Sequence, residues 1–269
     1  MLFRSVLLAN PCGKIADMVF NAGTSSTRDA WFGTFAYSFQ IFFDFAGYSE
    51  MAVGLGLMMG FVFAQNFNSP YQAESITDFW RRWHISLSSL LRDYLYIPLG
   101  GNRKGETRTY FNLLMTMLIG GLWHGASWNF VIWGGFFGVW LAIERRLGKR
   151  GVYARWPRAV RIALTFLIVS VAWVFFRSGD LTTAWQHLGR MFGIGAEQSG
   201  SGLIAGVIYQ PYYVGSMIVA AIVTWTLPSP WQWTQELTLG KAALCLGALW
   251  LAIIVLLTQS YNPFIYFMF

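Results

Sequence analysis

Cysteine is nearly absent: Cys12 and Cys245 are the only two in 269 residues. A pair so placed offers neither a disulfide framework nor zinc-ligand spacing, and no metal site is expected. Charge is equally scarce. Asp, Glu, Lys and Arg make up 12% of the chain, against roughly a quarter in soluble domains. There is no G-x-S-x-G elbow, no H-E-x-x-H helix and no Walker loop, so soluble hydrolases, zincins and nucleotide motors have no residues to stand on. Nor does a cleavable signal-peptide pattern open the chain. The apolar run in MLFRSVLLANPCGK is short, and Pro11 is expected to break it. This opening reads as the tail of a helix whose earlier part is missing.

What the sequence does have is hydrophobic length. Apolar residues reach 55% and mean hydropathy is +0.46, with several runs long enough to cross about 30 Å of hydrocarbon. The expected class is an all-α polytopic membrane protein, a single membrane domain over residues 1–269. A β-barrel would need period-two alternation, which these continuous runs lack. The net charge of +7 sits in clusters beside apolar runs. It therefore reads as a topology signal rather than a nucleic-acid surface, and no nucleic-acid partner is expected.

Taken in order, residues 12–30 predict an amphipathic piece and a polar loop. A first span is expected at Trp31–Tyr48, with Asp44 among aromatics as either a structural carboxylate or a cavity-lining one. A separate, glycine-rich run follows at Met51–Ala64. The segment from Ser75 to before Pro98 predicts one interfacial amphipathic helix. On it Trp80, His84, Leu87 and Leu91 share a stripe at helical spacing, and Arg81, Ser88 and Arg92 share another. GGNRKGETR is then a basic loop. Later spans are expected at Ile162–Phe176, Leu203–Leu227 and Ala242–Thr258, and His187 is expected to face water.

The organising stretch is Tyr110–Ile143, which contains no Asp, Glu, Lys or Arg. Basic residues outnumber acidic ones on both flanks, so the positive-inside rule puts both on the cytoplasmic side. The run between them must leave and return as a re-entrant hairpin. Its turn is expected between Gly120-Gly121 and Gly125, where helix propensity collapses. His124 then lies deep in the bilayer, in GGLWHGASWN. A lone imidazole there is costly unless paired or wetted, which makes it a functional candidate. His84 is a second candidate, with an interfacial snorkelling histidine as its bland alternative. Histidine is the side chain best suited to take a proton from a hydroxyl near neutral pH.

The segments FQIFFDFAGYSEMAVGLG, NFNSPY, DFWRRWHISLSSLLRDYLYIPLGGNRKG and LIGGLWHGASWNFVIWGGFFG resemble the membrane-bound O-acyltransferase (MBOAT) family. The nearest branch O-acetylates exported polysaccharides such as alginate, and teichoic-acid D-alanyl transfer proteins are more distant cousins. The resemblance implies a multi-helix funnel with the family's signature histidine at its neck, matching His124, and a second polar position matching His84. It implies a thioester donor, acetyl-CoA or an acyl carrier protein, reaching the site from the cytoplasm. His124 would serve as general base, and His84 would orient the hydroxyl or steady the thioester. Arg103, Lys104 and Arg108 become candidates for attracting donor phosphates, with a plain topology signal as their alternative. Asp44, Trp123 and Asn129 become candidate cavity residues. Tyr266, in the ending PFIYFMF, matches a tyrosine proposed as acyl relay to a periplasmic acetyltransferase partner; its alternative is an aromatic membrane anchor. The implied location is the bacterial inner membrane, in contact with membrane lipid and an exopolysaccharide acceptor. Members of this branch are longer, so the chain is expected to be the C-terminal portion of the fold. D-alanyl or other acyl transfer, an inactive scaffold and a transporter segment remain as alternatives.

Overall fold

The computed structural model describes residues 2–148, 155–195 and 201–258. In chain order the helices are α1 (Asn10–Asn21), α2 (Thr27–Met58), α3 (Ile76–Arg82), α4 (Ile85–Leu91), α5 (Glu106–His124) and α6 (Trp128–Arg146). They continue as α7 (Arg158–Arg177), α8 (Leu181–Met191), α9 (Ser201–Ile208), α10 (Pro211–Thr226), α11 (Pro230–Trp233) and α12 (Leu239–Thr258). No strand occurs among the described residues. Among the described residues three helices, α2, α7 and α12, are long and apolar enough to cross a membrane, and α9 with α10 forms a fourth span if the bent pair is counted as one. The expected class, an all-helical multi-pass membrane protein, is the one observed.

The chain divides into two compact units, residues 1–68 with 190–269, and residues 69–189. In the first, α2 is one 32-residue helix rather than two separate runs. Ser26 starts it with a reciprocal capping box to Asp29. The glycines of the second run are carried inside the helix, and the chain folds back only at Gly60, whose φ is +84°. Gly56 leaves the space that the returning Phe63 ring occupies. Pro11 does not break the N-terminal helix as expected. A π-type turn over Ser5–Ala9 widens the backbone ahead of it, so the missing N–H costs no α-helical bond. The expected continuous span at Leu203–Leu227 is instead bent by 61°. Pro211 is the reason: it removes a donor and forces Gln210 into an extended conformation with ψ 147°. The Tyr209 hydroxyl at this bend donates to Asp29 at 2.8 Å, and the Arg28 guanidinium lies 4.7 Å from the Tyr209 ring.

The second unit is built on the α5–α6 hairpin. Its turn lies at Gly125–Ser127, so Gly120 and Gly121 belong to α5 and are not the turn. These glycines are used for close approach instead. A methyl group at Gly121 would strike the carbonyl of Phe130, one at Gly134 the carbonyl of Met117, and one at Gly138 would sit 2.9 Å from the Cα of Leu114. Small residues at such a seam let two helix backbones touch. Against the hairpin packs an aromatic core. Tyr71 and Phe79 stack with Trp83, Trp83 lies 5.0 Å from Trp173 between ring centres, and Trp173 lies 5.9 Å from Trp133. Trp173 Nε1 donates to the Tyr71 hydroxyl at 3.1 Å, which satisfies the buried indole. His187, expected in water, is fully buried on α8.

Gly134 and Gly135 give a sharp test of the seam. Alanine at Gly134 should destabilise the fold by about 1–3 kcal/mol through overpacking against backbone. At Gly135 the added methyl meets only the Leu118 side chain at 3.5 Å, an ordinary contact. Thermal unfolding in detergent should therefore show a lowered midpoint for Gly134→Ala and none for Gly135→Ala. Equal behaviour of the two variants would contradict the seam.

Candidate active site

Both candidate histidines belong to the second unit, and each is placed by a helix ending. The single interfacial helix expected from Ser75 to before Pro98 is broken at Trp83–His84. Its start is firmly held. Ser75 Oγ accepts from the Asp78 N–H at 3.0 Å. The buried Glu144 carboxylate accepts from the backbone N–H groups of Ile76 and Thr77 at 2.7 and 2.8 Å and from the Thr77 hydroxyl at 2.6 Å. A carboxylate at a helix N-terminus meets both unpaired donors and the positive end of the dipole. The break itself follows from Trp83. Its indole is drawn into the aromatic core, 4% exposed, and the next residue must turn the chain before α4 can begin. His84 does so in the left-handed region, at φ 43° and ψ 57°. That conformation costs a non-glycine residue on the order of 1–3 kcal/mol and gathers at functional sites.

His84 is thereby half-buried, with its Nδ1 3.3 Å from the Ser86 hydroxyl. It sits in a break outside the spanning helices, and burial pushes its imidazole below the usual histidine range, to about 4. It is neutral at neutral pH.

His124 is the last residue of α5. Gly125 follows without a side chain, which leaves room for the Phe130 ring folding back from α6. Four aromatic rings surround the imidazole: Trp123 at 4.9 Å, Phe176 at 5.0 Å, Trp133 at 5.3 Å and Phe130 at 6.2 Å between centres. Trp123 also meets His84, at 6.4 Å. Residues 40 positions apart in sequence thus converge on one indole. Trp123 is itself 61% exposed, so the pair is open on that side. Asn129 stands behind, 2% exposed. Its amide donates to the Ser178 carbonyl at 2.6 Å and braces the start of α6 against the end of α7.

Within the second unit, the three basic candidates are not gathered here. Arg103 and Lys104 are exposed in the loop before α5, and Arg108 lies over the Phe111 ring at 5.1 Å. At 1.5 Å per residue the length of α5 puts about 27 Å between that end and His124. Asp44 belongs to the first unit, buried near the middle of α2. Tyr266 lies outside the described residues. Sequence reasoning did not name Phe130, Trp133 and Phe176 as the imidazole's walls, nor Ser86. The aromatic density of WHGASWNFVIW was the available signal, but it does not say which ring faces which side. No group of three or more metal-ligating side chains occurs among the described residues.

Fold and site together define a multi-pass helical membrane protein with a pair of imidazoles against an aromatic wall. The sequence profile of MBOAT, the membrane-bound O-acyltransferase family, matches residues 20–176, and the chain belongs to that family. It is 43% identical to a probable alginate O-acetylase AlgI of Pseudomonas putida, over 99% of this chain and 59% of the relative. To the protein of the same name from Azotobacter vinelandii it is 54% identical, over 71% of this chain and 38% of the relative. A peptidoglycan O-acetyltransferase of Helicobacter pylori is 46% identical, over 72% of this chain and 37% of the relative. The chain therefore spans between about two fifths and three fifths of the length of these relatives.

Removing the shared ring should separate its two neighbours. Trp123→Ala, on an exposed side chain, should leave the unfolding midpoint within a degree or two. It should also raise the accessibility of both imidazoles to diethyl pyrocarbonate. Unchanged modification rates would show that Trp123 does not cover the pair.

Proposed function

We propose that this chain carries the catalytic centre of a membrane O-acyltransferase of the bacterial inner membrane. It moves an acetyl group from a cytoplasmic thioester, acetyl-CoA or an acyl carrier protein, to a hydroxyl of an exported polysaccharide such as alginate. Transfer is direct or passes through a periplasmic partner protein. The observation that carries this reading is the convergence of His84 and His124 on Trp123, within the part of the chain that matches the family profile.

In the proposed reaction His124 accepts the proton of the attacking hydroxyl. The oxygen attacks the thioester carbonyl carbon, and a C–O bond forms. The tetrahedral intermediate collapses with cleavage of the C–S bond, and the departing sulfur takes the proton back from His124. His84, held neutral, orients the hydroxyl or steadies the carbonyl oxygen as charge builds there. The aromatic walls keep water from competing for the acyl group. Arg103, Lys104 and Arg108 stand at the far end of α5, so in this scheme they steer the anionic donor over a distance instead of gripping it beside the histidines. Tyr266 is the proposed acyl relay to the partner. The names of the alginate relatives favour alginate as acceptor class, while the name of the Helicobacter pylori relative keeps peptidoglycan as the second.

General-base catalysis contributes about 10²–10⁴-fold, so His124→Ala in the full-length protein should reduce acetyl transfer by at least that order while membrane insertion is retained. Radiolabel transfer from acetyl-CoA to polymer, with membrane fractionation as control, reads both. Full transfer by the variant would remove the assigned base.

A further inference from the structure

At the end of the hairpin away from the histidines, α3, α5 and α6 line a cleft of about 520 Å³ that opens to the surface, within the size range that holds small ligands. We propose that it is a binding site for the phosphoethanolamine headgroup of a membrane phospholipid. The inference comes from which charges in the cavity are satisfied and which are not.

Two of its carboxylates are already engaged. Glu144 accepts the three donors at the start of α3, and Asp78 is paired with Arg82 at 2.9 Å. Arg81, Arg145 and Glu106 also line the cavity. Among the described residues, none of these three has a side-chain ion pair or hydrogen bond. Two exposed guanidinium groups and one exposed carboxylate are thus left bordering one space. Guanidinium groups match phosphate oxygens, and a lone carboxylate matches a primary ammonium.

The charge sum narrows the ligand. Among the described residues, and counting Arg82 as the partner of Asp78, three cations balance three anions at the cavity. A purely anionic ligand would gain from Arg81 and Arg145 but be opposed by Glu106 and Glu144. A zwitterion with one phosphate and one ammonium meets both signs. A quaternary choline has the right charge but no N–H to donate to Glu106. Leu113 and Leu141 supply an apolar wall, along which the lipid's glycerol and first methylenes can run. The clusters of basic residues at this end of both helices are what the headgroup level of a leaflet calls for. The same chemistry could come from free phosphoethanolamine, which lacks anything to lie on that wall; the lipid is the source assigned here. The site does not depend on the acyl-transfer reading.

The test uses the protein purified from membranes and equilibrated with vesicles of phosphatidylethanolamine, phosphatidylglycerol and phosphatidylcholine in equal amounts. Lipid retained after re-extraction is quantified by native mass spectrometry. Phosphatidylethanolamine should be enriched by about tenfold over each of the others, the scale of one charge-assisted contact. Arg81→Gln combined with Glu106→Gln should abolish the enrichment at an unchanged unfolding midpoint. Should that pair of changes prevent folding, Arg145→Gln on the exposed end of α6 should lower the enrichment instead. Equal retention of the three lipids by the wild-type protein would overturn the proposal without any variant. So would enrichment that survives the substitutions, displacement of the lipid by soluble acetyl-CoA, or displacement by free phosphoethanolamine at concentrations no higher than the lipid's own.

Discussion

Two helix backbones can touch only where no side chain stands between them, and the second unit depends on that contact. Gly121, Gly134 and Gly138 leave no room for even a methyl group between α5 and α6. With the seam closed, the hairpin has a fixed register, and both of its ends acquire a definite place. One end delivers His124 into a ring of aromatic side chains. The other end delivers Glu144 to the first turn of α3. Since α3 leads directly into His84, the hairpin positions one imidazole itself and the other through Glu144. The glycine seam therefore fixes the place of both imidazoles as well as packing the hairpin.

The chemistry of the pair follows from its surroundings. Burial keeps the His84 imidazole neutral, the form that can both donate and accept a hydrogen bond. The strain at His84 has a structural origin that can be traced. Trp83 must enter the core, α4 must start on the other side, and one residue between them takes the left-handed turn. Strain of this kind persists only where packing on both sides over-determines it. Here the Glu144 clamp and the Trp83–Trp173 contact do so.

Much of this was legible in the sequence. Continuous apolar runs without charge gave the helical membrane class, and the 34-residue uncharged run between basic flanks gave the hairpin with its histidine near the turn. The missed features share a cause. Glycine signals both flexibility and close approach, and only the partner helix decides between them; Gly120 and Gly121 therefore looked like a turn when they were part of a packed helix. Helical periodicity likewise ran His84 into one stripe with Trp80 and Leu87, because nothing local marks the point where a buried tryptophan breaks the register. Pro11 looked like a breaker, but a π-type turn absorbed it. Pro211 lies within an apolar run that reads as continuous, yet there the proline does bend the chain. Distances across the chain, such as Asn129 to Ser178 or Glu144 to Thr77, leave no periodic trace at all.

In the proposed reaction His84 and His124 act on one reacting group. A double-mutant cycle on acyl transfer by the full-length protein, with His84→Ala, His124→Ala and the pair combined, addresses it most directly. If the two imidazoles work as a unit, the combined variant should be hardly slower than the worse single variant, as groups in one constellation are strongly non-additive. Losses that simply multiply would place the two histidines in separate roles and contradict a shared reacting group.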